Sequence, residues 1–164
     1  LARAIGARTV MVDVVADKLA HARAHGADAT VNAAETDPVA AVREITGGGA
    51  DVAIEALGIA ETTANALKSL RKLGRMVQIG MPAGKHAQMT LPMNAVYSGQ
   101  LALFGTRGMP AWRYPSLLSL IDTGRVDLSP LIARRVALSD ASAELAAFDR
   151  PAPPGVAVIT DFAA

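Results

Sequence analysis

Short apolar runs alternate with longer helical stretches along nearly the whole chain, and that alternation leaves few architectures open. Residues 9–14 are an apolar run short enough for a buried strand, and residues 17–25 read as a helix ending at Gly26, a left-handed C′ glycine. A brief strand at 29–32 leads to Asp37 and Pro38, an N-cap followed by a proline at the first helical position. Val39, Val42 and Ile45 then share one helical face, and Gly47, Gly48 and Gly49 stop the helix. Residues 51–56 read as a strand, 61–72 as a helix with Ala64, Leu67 and Leu70 inward, and 75–79 as a further strand. After a loop and short helix over 81–98 comes a strand at 101–105, then a helix at 112–123 with Leu117, Leu120 and Ile121 as its apolar stripe, closed by Gly124. Residues 134–138 read as extended, Ser139 as the cap of a helix running to Phe148, residues 151–155 as a rigid connector, and 156–160 as a final strand.

Strands this apolar on both faces, separated by helices, predict a doubly wound α/β fold with a parallel sheet covered on both sides. At 164 residues and 51% hydrophobic composition the chain has enough apolar surface for one domain, spanning 1–164. Its first residues, Leu-Ala-Arg-Ala-Ile-Gly-Ala-Arg, read as the tail of a helix, so the fold is expected to be incomplete at its N-terminus and to leave an apolar face exposed.

Charge and cysteine content narrow the function. Sixteen basic against fifteen acidic residues leave a net charge of +1 with no basic cluster, which argues against nucleic acid as a partner. No apolar run approaches the ~20 residues needed to span a bilayer, so no membrane association and a cytoplasmic location are expected. With no Cys there is neither a disulfide framework nor a thiolate metal site. His21 and His25 stand at a helical spacing that can bind metal, but without a third ligand they read as solvated residues, as does His86 in its Gly/Lys loop.

The candidate chemistry lies at strand ends. Asp13 is an acid at the carboxyl end of the first strand, where a dinucleotide fold places a carboxylate on the adenosine ribose hydroxyls and so favours NAD over NADP. The simpler alternative is a residue that only turns the chain. Lys18, five residues on, is either a second contact to that ribose or a solvated helix lysine. Ala56, Leu57 and Gly58 close the strand that begins at Asp51, and Ile79, Gly80 and Met81 close the next; small residues there let a flat nucleotide group approach the backbone. Leu103 and Phe104 form a third such edge, and Glu55 reads as a carboxylate holding a neighbouring loop. Met109, Pro110 and Trp112 either border a pocket or pack a helix start.

Four segments in order carry a family resemblance: Val-Met-Val-Asp13; His-Gly26-Ala-Asp-Ala-Thr-Val-Asn32; Gly49-Ala-Asp51-Val-Ala-Ile-Glu55-Ala-Leu-Gly58; and Gly74-Arg-Met-Val-Gln-Ile-Gly80. Together they resemble the zinc-dependent medium-chain alcohol dehydrogenases, over residues 1 to about 162. The resemblance implies a Rossmann-like NAD-binding domain. Asp13 and Lys18 would contact the adenosine ribose, and Ala56, Leu57, Gly58, Ile79, Gly80, Met81, Leu103 and Phe104 would lie along the nicotinamide half. It implies an intact protein that exchanges hydride between an alcohol or carbonyl substrate and NAD, with a possible homodimer formed through the strand near Leu103. The family's Gly-x-Gly-x-x-Gly loop would precede Leu1, and its catalytic zinc and GroES-like catalytic domain are not represented, so zinc is expected only in the intact protein and this chain is expected to be inactive alone. The family's basic residue near Val156 has no match here, Arg150 being near but out of place.

Two other readings follow from the same residues. One is a catalytically inactive nucleotide-binding or oligomerisation fragment. The other, a short-chain reductase, would need Tyr-x-x-x-Lys, whereas Tyr97 and Tyr114 are followed four residues on by Leu101 and Leu118.

Overall fold

The computed structural model describes residues 1–147 and 155–162. In chain order the elements are β1 (Val10–Asp13), α1 (Ala16–Ala24), β2 (Ala29–Asn32), α2 (Pro38–Thr46), β3 (Ala50–Glu55), α3 (Ala60–Lys68), β4 (Leu70–Gln78), α4 (Met93–Gly99), β5 (Ala102–Gly105), α5 (Tyr114–Asp122), β6 (Ile132–Ala137), α6 (Ala141–Ala146) and β7 (Val156–Asp161). Every strand pairing among the described residues is parallel, and helices connect the partners, which makes the fold Rossmann-like α/β.

The ladders form three sheets, β1–β2, β3–β4–β5 and β6–β7. In the first, Val10 stands opposite Ala29 and Asp13 opposite Asn32; in the second, Glu55 stands opposite Gln78, and Gln78 opposite Gly105. Parallel pairing therefore brings the carboxyl ends of β3, β4 and β5 to one edge. The coverage expected on both faces of every strand is uneven: Met76 on β4 and Val31 on β2 are buried, whereas other apolar strand residues are not. Met11 and Val12 on β1 and Val52 and Ile54 on β3 remain exposed on the strand faces from which they project.

The core centres on Leu67, Leu70 and Met76, with Ala50, Ala53, Leu91, Val96 and Leu101 packed around them. Asp37 caps α2 as its type predicts, accepting from the amides of Val39 and Ala40, and Gly47 ends that helix in the left-handed region at φ 70°.

Two expected helices differ. The helix expected over 61–72 stops at Lys68, and Leu70 begins β4 instead. Where the helix ends, the Arg43 Nη1 donates to the carbonyls of Lys68 and Leu70, at 3.3 and 2.9 Å. Leu70 then pairs with Ala50, and the register shifts so that Val52 meets Arg75, with Leu73 at φ 61° between. The bulge presses on Gly49, where a Cβ would lie 2.4 Å from the Arg71 amide nitrogen. Ser139 does not cap the last described helix; a 3₁₀ turn over Leu138–Asp140 precedes α6, whose N-cap position is Asp140 without a side-chain cap bond. Phe148, Arg150 and most of the expected 151–155 connector lie outside the described residues.

Candidate functional site at the strand ends

Asp13 ends β1 half-buried, and its Oδ1 accepts the amide of Val15 at 2.9 Å. That is an Asx-type turn, the structural role weighed for it, and it also holds the carboxyl group in one orientation with Oδ2 as the remaining acceptor. The Asp13 carbonyl is taken by the amide of Ala33. Lys18 is exposed on the first turn of α1. Asp13 stands on the β1–β2 sheet and Lys18 on the helix that follows β1, whereas the other candidates belong to the β3–β4–β5 sheet and the turns at its strand ends.

The second group is assembled on β3, β4 and β5. Gly58 and Gly80 are buried against each other: a Cβ on Gly80 would lie 2.2 Å from the Gly58 nitrogen, and one on Gly58 would lie 2.3 Å from the Met81 carbonyl oxygen. Gly58 also has φ 84°, a region that favours glycine. The turn of Ala56, Leu57 and Gly58 and the turn of Ile79, Gly80 and Met81 are thus in backbone contact. Their apolar side chains point away from that contact into solvent, with Leu57 65%, Ile79 51% and Met81 74% exposed.

Leu103 and Phe104 lie deeper along the same sheet, opposite Met76 and Val77. Together with Thr63, Gln78 and Met89 they line a cavity of about 270 Å³. A second cavity, about 380 Å³, lies past β5 and includes Met109 and Pro110 in its wall. Trp112 is not among its lining residues; it is exposed beside the Arg113 guanidinium, 4.5 Å from the ring centroid.

Glu55, read from sequence as a loop holder, is the most connected side chain of the region. It is buried, and its carboxylate accepts from the Leu57 and Gly58 amides at 2.9 Å, from the Thr62 hydroxyl at 2.6 Å and from the Gln78 side-chain amide. Burial pushes the Glu55 carboxyl up, but the hydrogen bonds from Thr62, Gly58, Leu57 and Gln78 outweigh it and leave the group below the usual glutamate value. Gln78 and Thr62 were not singled out by sequence. The signal for Gln78 was there: a polar residue inside the otherwise apolar Met76-Val-Gln-Ile79 run.

No group of three or more His, Cys, Asp or Glu side chains able to hold a metal occurs among the described residues. His21 and His25 stack with ring centroids 4.1 Å apart, and His25 Nδ1 lies 2.7 Å from the His21 carbonyl. The described residues therefore do not supply the donor set for a catalytic zinc. Among the described residues no helix is long and apolar enough to cross a membrane.

The family model described as zinc-binding dehydrogenase matches residues 1–123. An erythritol/L-threitol dehydrogenase of Mycolicibacterium smegmatis is 30% identical over 135 residues, covering 81% of this chain and 36% of its own length. A probable alcohol dehydrogenase of Mycobacterium tuberculosis is 35% identical over 150 residues, covering 88% of this chain and 41% of its own. The solved structure of an NAD-dependent alcohol dehydrogenase superposes with a TM-score of 0.84 at 29% identity, covering 97% of this chain and 45% of that one. The chain thus spans about two fifths of the length of these relatives.

Proposed function

This chain belongs to the zinc-binding dehydrogenase family, within the alcohol dehydrogenase-like oxidoreductases, and from that membership we propose that residues 1–164 are the NAD-binding part of a dehydrogenase acting on a small alcohol or carbonyl compound. The observation that carries the reading is Asp13. Its carboxylate stands at the carboxyl end of a parallel strand, is held in place through Oδ1 by the Val15 amide, and offers Oδ2 to a vicinal diol. A 2′-phosphate at that position would meet a fixed negative charge, which favours NAD over NADP.

The candidate contacts fall to the halves of the cofactor as follows. Asp13 and Lys18 take the adenosine ribose. Ala56, Leu57, Gly58, Ile79, Gly80 and Met81 support the nicotinamide half on a surface that two glycines keep flat, with Leu103 and Phe104 at its flank. When bound, NAD supplies the hydride acceptor; this chain's own residues bind and orient it. The zinc that the family's name implies would be held by residues of the intact protein outside this chain. The open edge of β5, with Leu103 and Phe104 exposed, supports a homodimer that continues the sheet. A monomer by light scattering would exclude that assembly.

The test is calorimetric titration of the chain with NAD and, separately, NADP, repeated on Asp13→Ala. Millimolar or tighter NAD binding that weakens in the variant is the expected result. A folded sample that binds neither nucleotide would point instead to the second reading, a non-catalytic interaction fragment.

A further inference from the structure

Glu55 reaches both turns at once, and by two different routes. Its side chain takes the amides of Leu57 and Gly58, which belong to the turn after β3. Its main-chain carbonyl takes the amides of Ile79 and Gly80, at 2.8 and 3.0 Å, which belong to the turn after β4. Gln78 closes the circuit, its Nε2 donating both to the Glu55 carboxylate and to the Gly80 carbonyl at 2.9 Å. The Thr63 hydroxyl lies 3.3 Å from Gln78 Oε1, on the other end of the same amide.

An ionised carboxylate is an acceptor only, with room for about four hydrogen bonds. Here the donors are two backbone amides, a hydroxyl and a side-chain amide, so the group is saturated while only 3% exposed. A charged acceptor makes each of these bonds stronger than a neutral one would, and losing it would leave several buried donors unpaired. The arrangement ties down four successive-turn amides that would otherwise be free to rotate. The outward side of both turns is thereby left to the side chains of Leu57, Ile79 and Met81.

We propose that Glu55 is a positioning residue for the nicotinamide end of the cofactor, setting the separation and tilt of the two turns on which that end lies. This rests on the cofactor reading above. Glu55 touches no part of the ligand itself; it acts through Leu57, Gly58, Ile79 and Gly80. Its effect is therefore confined to the half of the cofactor that those turns support, and the adenosine half at Asp13, on the other sheet, is indifferent to it.

The experiment titrates the full chain, wild type and Glu55→Gln, with NADH and with ADP-ribose, which lacks the nicotinamide, with urea melts to establish that each sample is folded. Glu55→Gln is expected to raise the NADH Kd about tenfold, as for one lost charge-assisted hydrogen bond, and to leave the ADP-ribose Kd within about twofold. Exchanging the pair, Glu55→Gln with Gln78→Glu, returns one carboxylate and one amide to the contact and is expected to recover most of the NADH affinity. If Glu55→Gln does not fold, Thr62→Val removes a single donor to the carboxylate and is expected to show the same selectivity at smaller size. Parallel weakening of both ligands, or unchanged NADH binding in a folded variant that has only lost stability, would overturn the proposal and leave Glu55 a plain structural staple. A wild-type chain that binds neither ligand would instead overturn the cofactor reading on which it stands.

Discussion

Gly58 and Gly80 meet backbone to backbone, with a Cβ on Gly80 falling 2.2 Å from the Gly58 nitrogen. The contact joins the turns after two neighbouring parallel strands, and nothing larger than hydrogen fits at either position. Gly80→Ala is expected to destabilise the chain by about 1–3 kcal/mol through overpacking. Gly58→Ala, which must also place a Cβ on the left-handed backbone at φ 84°, is expected to cost about 2–4 kcal/mol. Urea denaturation gives both values, and a neutral Gly80→Ala would mean the turns can separate without penalty.

Acid should loosen the same region. The Glu55 carboxyl is held below its ordinary value of 4.5, so the stability it contributes is present above that pH and is lost as pH falls through the lower folded-state value. Stability of the wild type measured from pH 6 downward should therefore fall more steeply than that of Glu55→Gln, which has no proton to take up there. Equal slopes would show that the carboxylate is not preferentially ionised in the folded chain.

Removing the charge at Asp13 should change which nucleotide is preferred. Asp13→Gly deletes the acceptor for the ribose hydroxyls and the charge facing a 2′-phosphate. The ratio of NADP to NAD dissociation constants is expected to fall by roughly ten- to a hundredfold, the scale of a hydrogen bond to a charged group. Competition titrations with the two nucleotides measure the ratio; a ratio that stays put would assign Asp13 to its turn alone.

Arg43→Met tests the early end of α3. It keeps most of the apolar stem but removes the donor to the Lys68 and Leu70 carbonyls. A loss of about 1–2 kcal/mol is expected, with a partly buried carbonyl at Leu70 left unpaired. No change in the urea midpoint would mean that the β3–β4 pairing ends the helix unaided.

Asp37→Ala should cost about 0.5–2 kcal/mol, because Oδ1 of Asp37 satisfies two orphan amides of α2. Asp37→Ser should restore most of it. The pair of melts separates capping from any general effect of changing the surface charge.

What the sequence determined by itself was whatever depends on near neighbours. The apolar strand runs, the Asp37-Pro38 helix start, the Gly47 stop and the position of Asp13 at the end of β1 are local signals, and the backbone follows each of them. Composition likewise removed any thiolate metal site before a coordinate was needed. Tertiary structure decided what depends on residues far apart in the chain. Residues 70–72 continue the helical letters of 61–68, yet pairing of Leu70 with Ala50 sets them in β4, with the Arg43 guanidinium, 25 and 27 residues upstream, on the Lys68 and Leu70 carbonyls. Glu55 was legible as a loop holder, but not as one holding two loops. Its connection to Ile79 and Gly80 exists only because parallel pairing sets β4 beside β3, and the Gln78 amide reaches the carboxylate only in that register. Side-chain type tells which hydrogen bonds a residue can make; the packing of the strands selects which of them it does make.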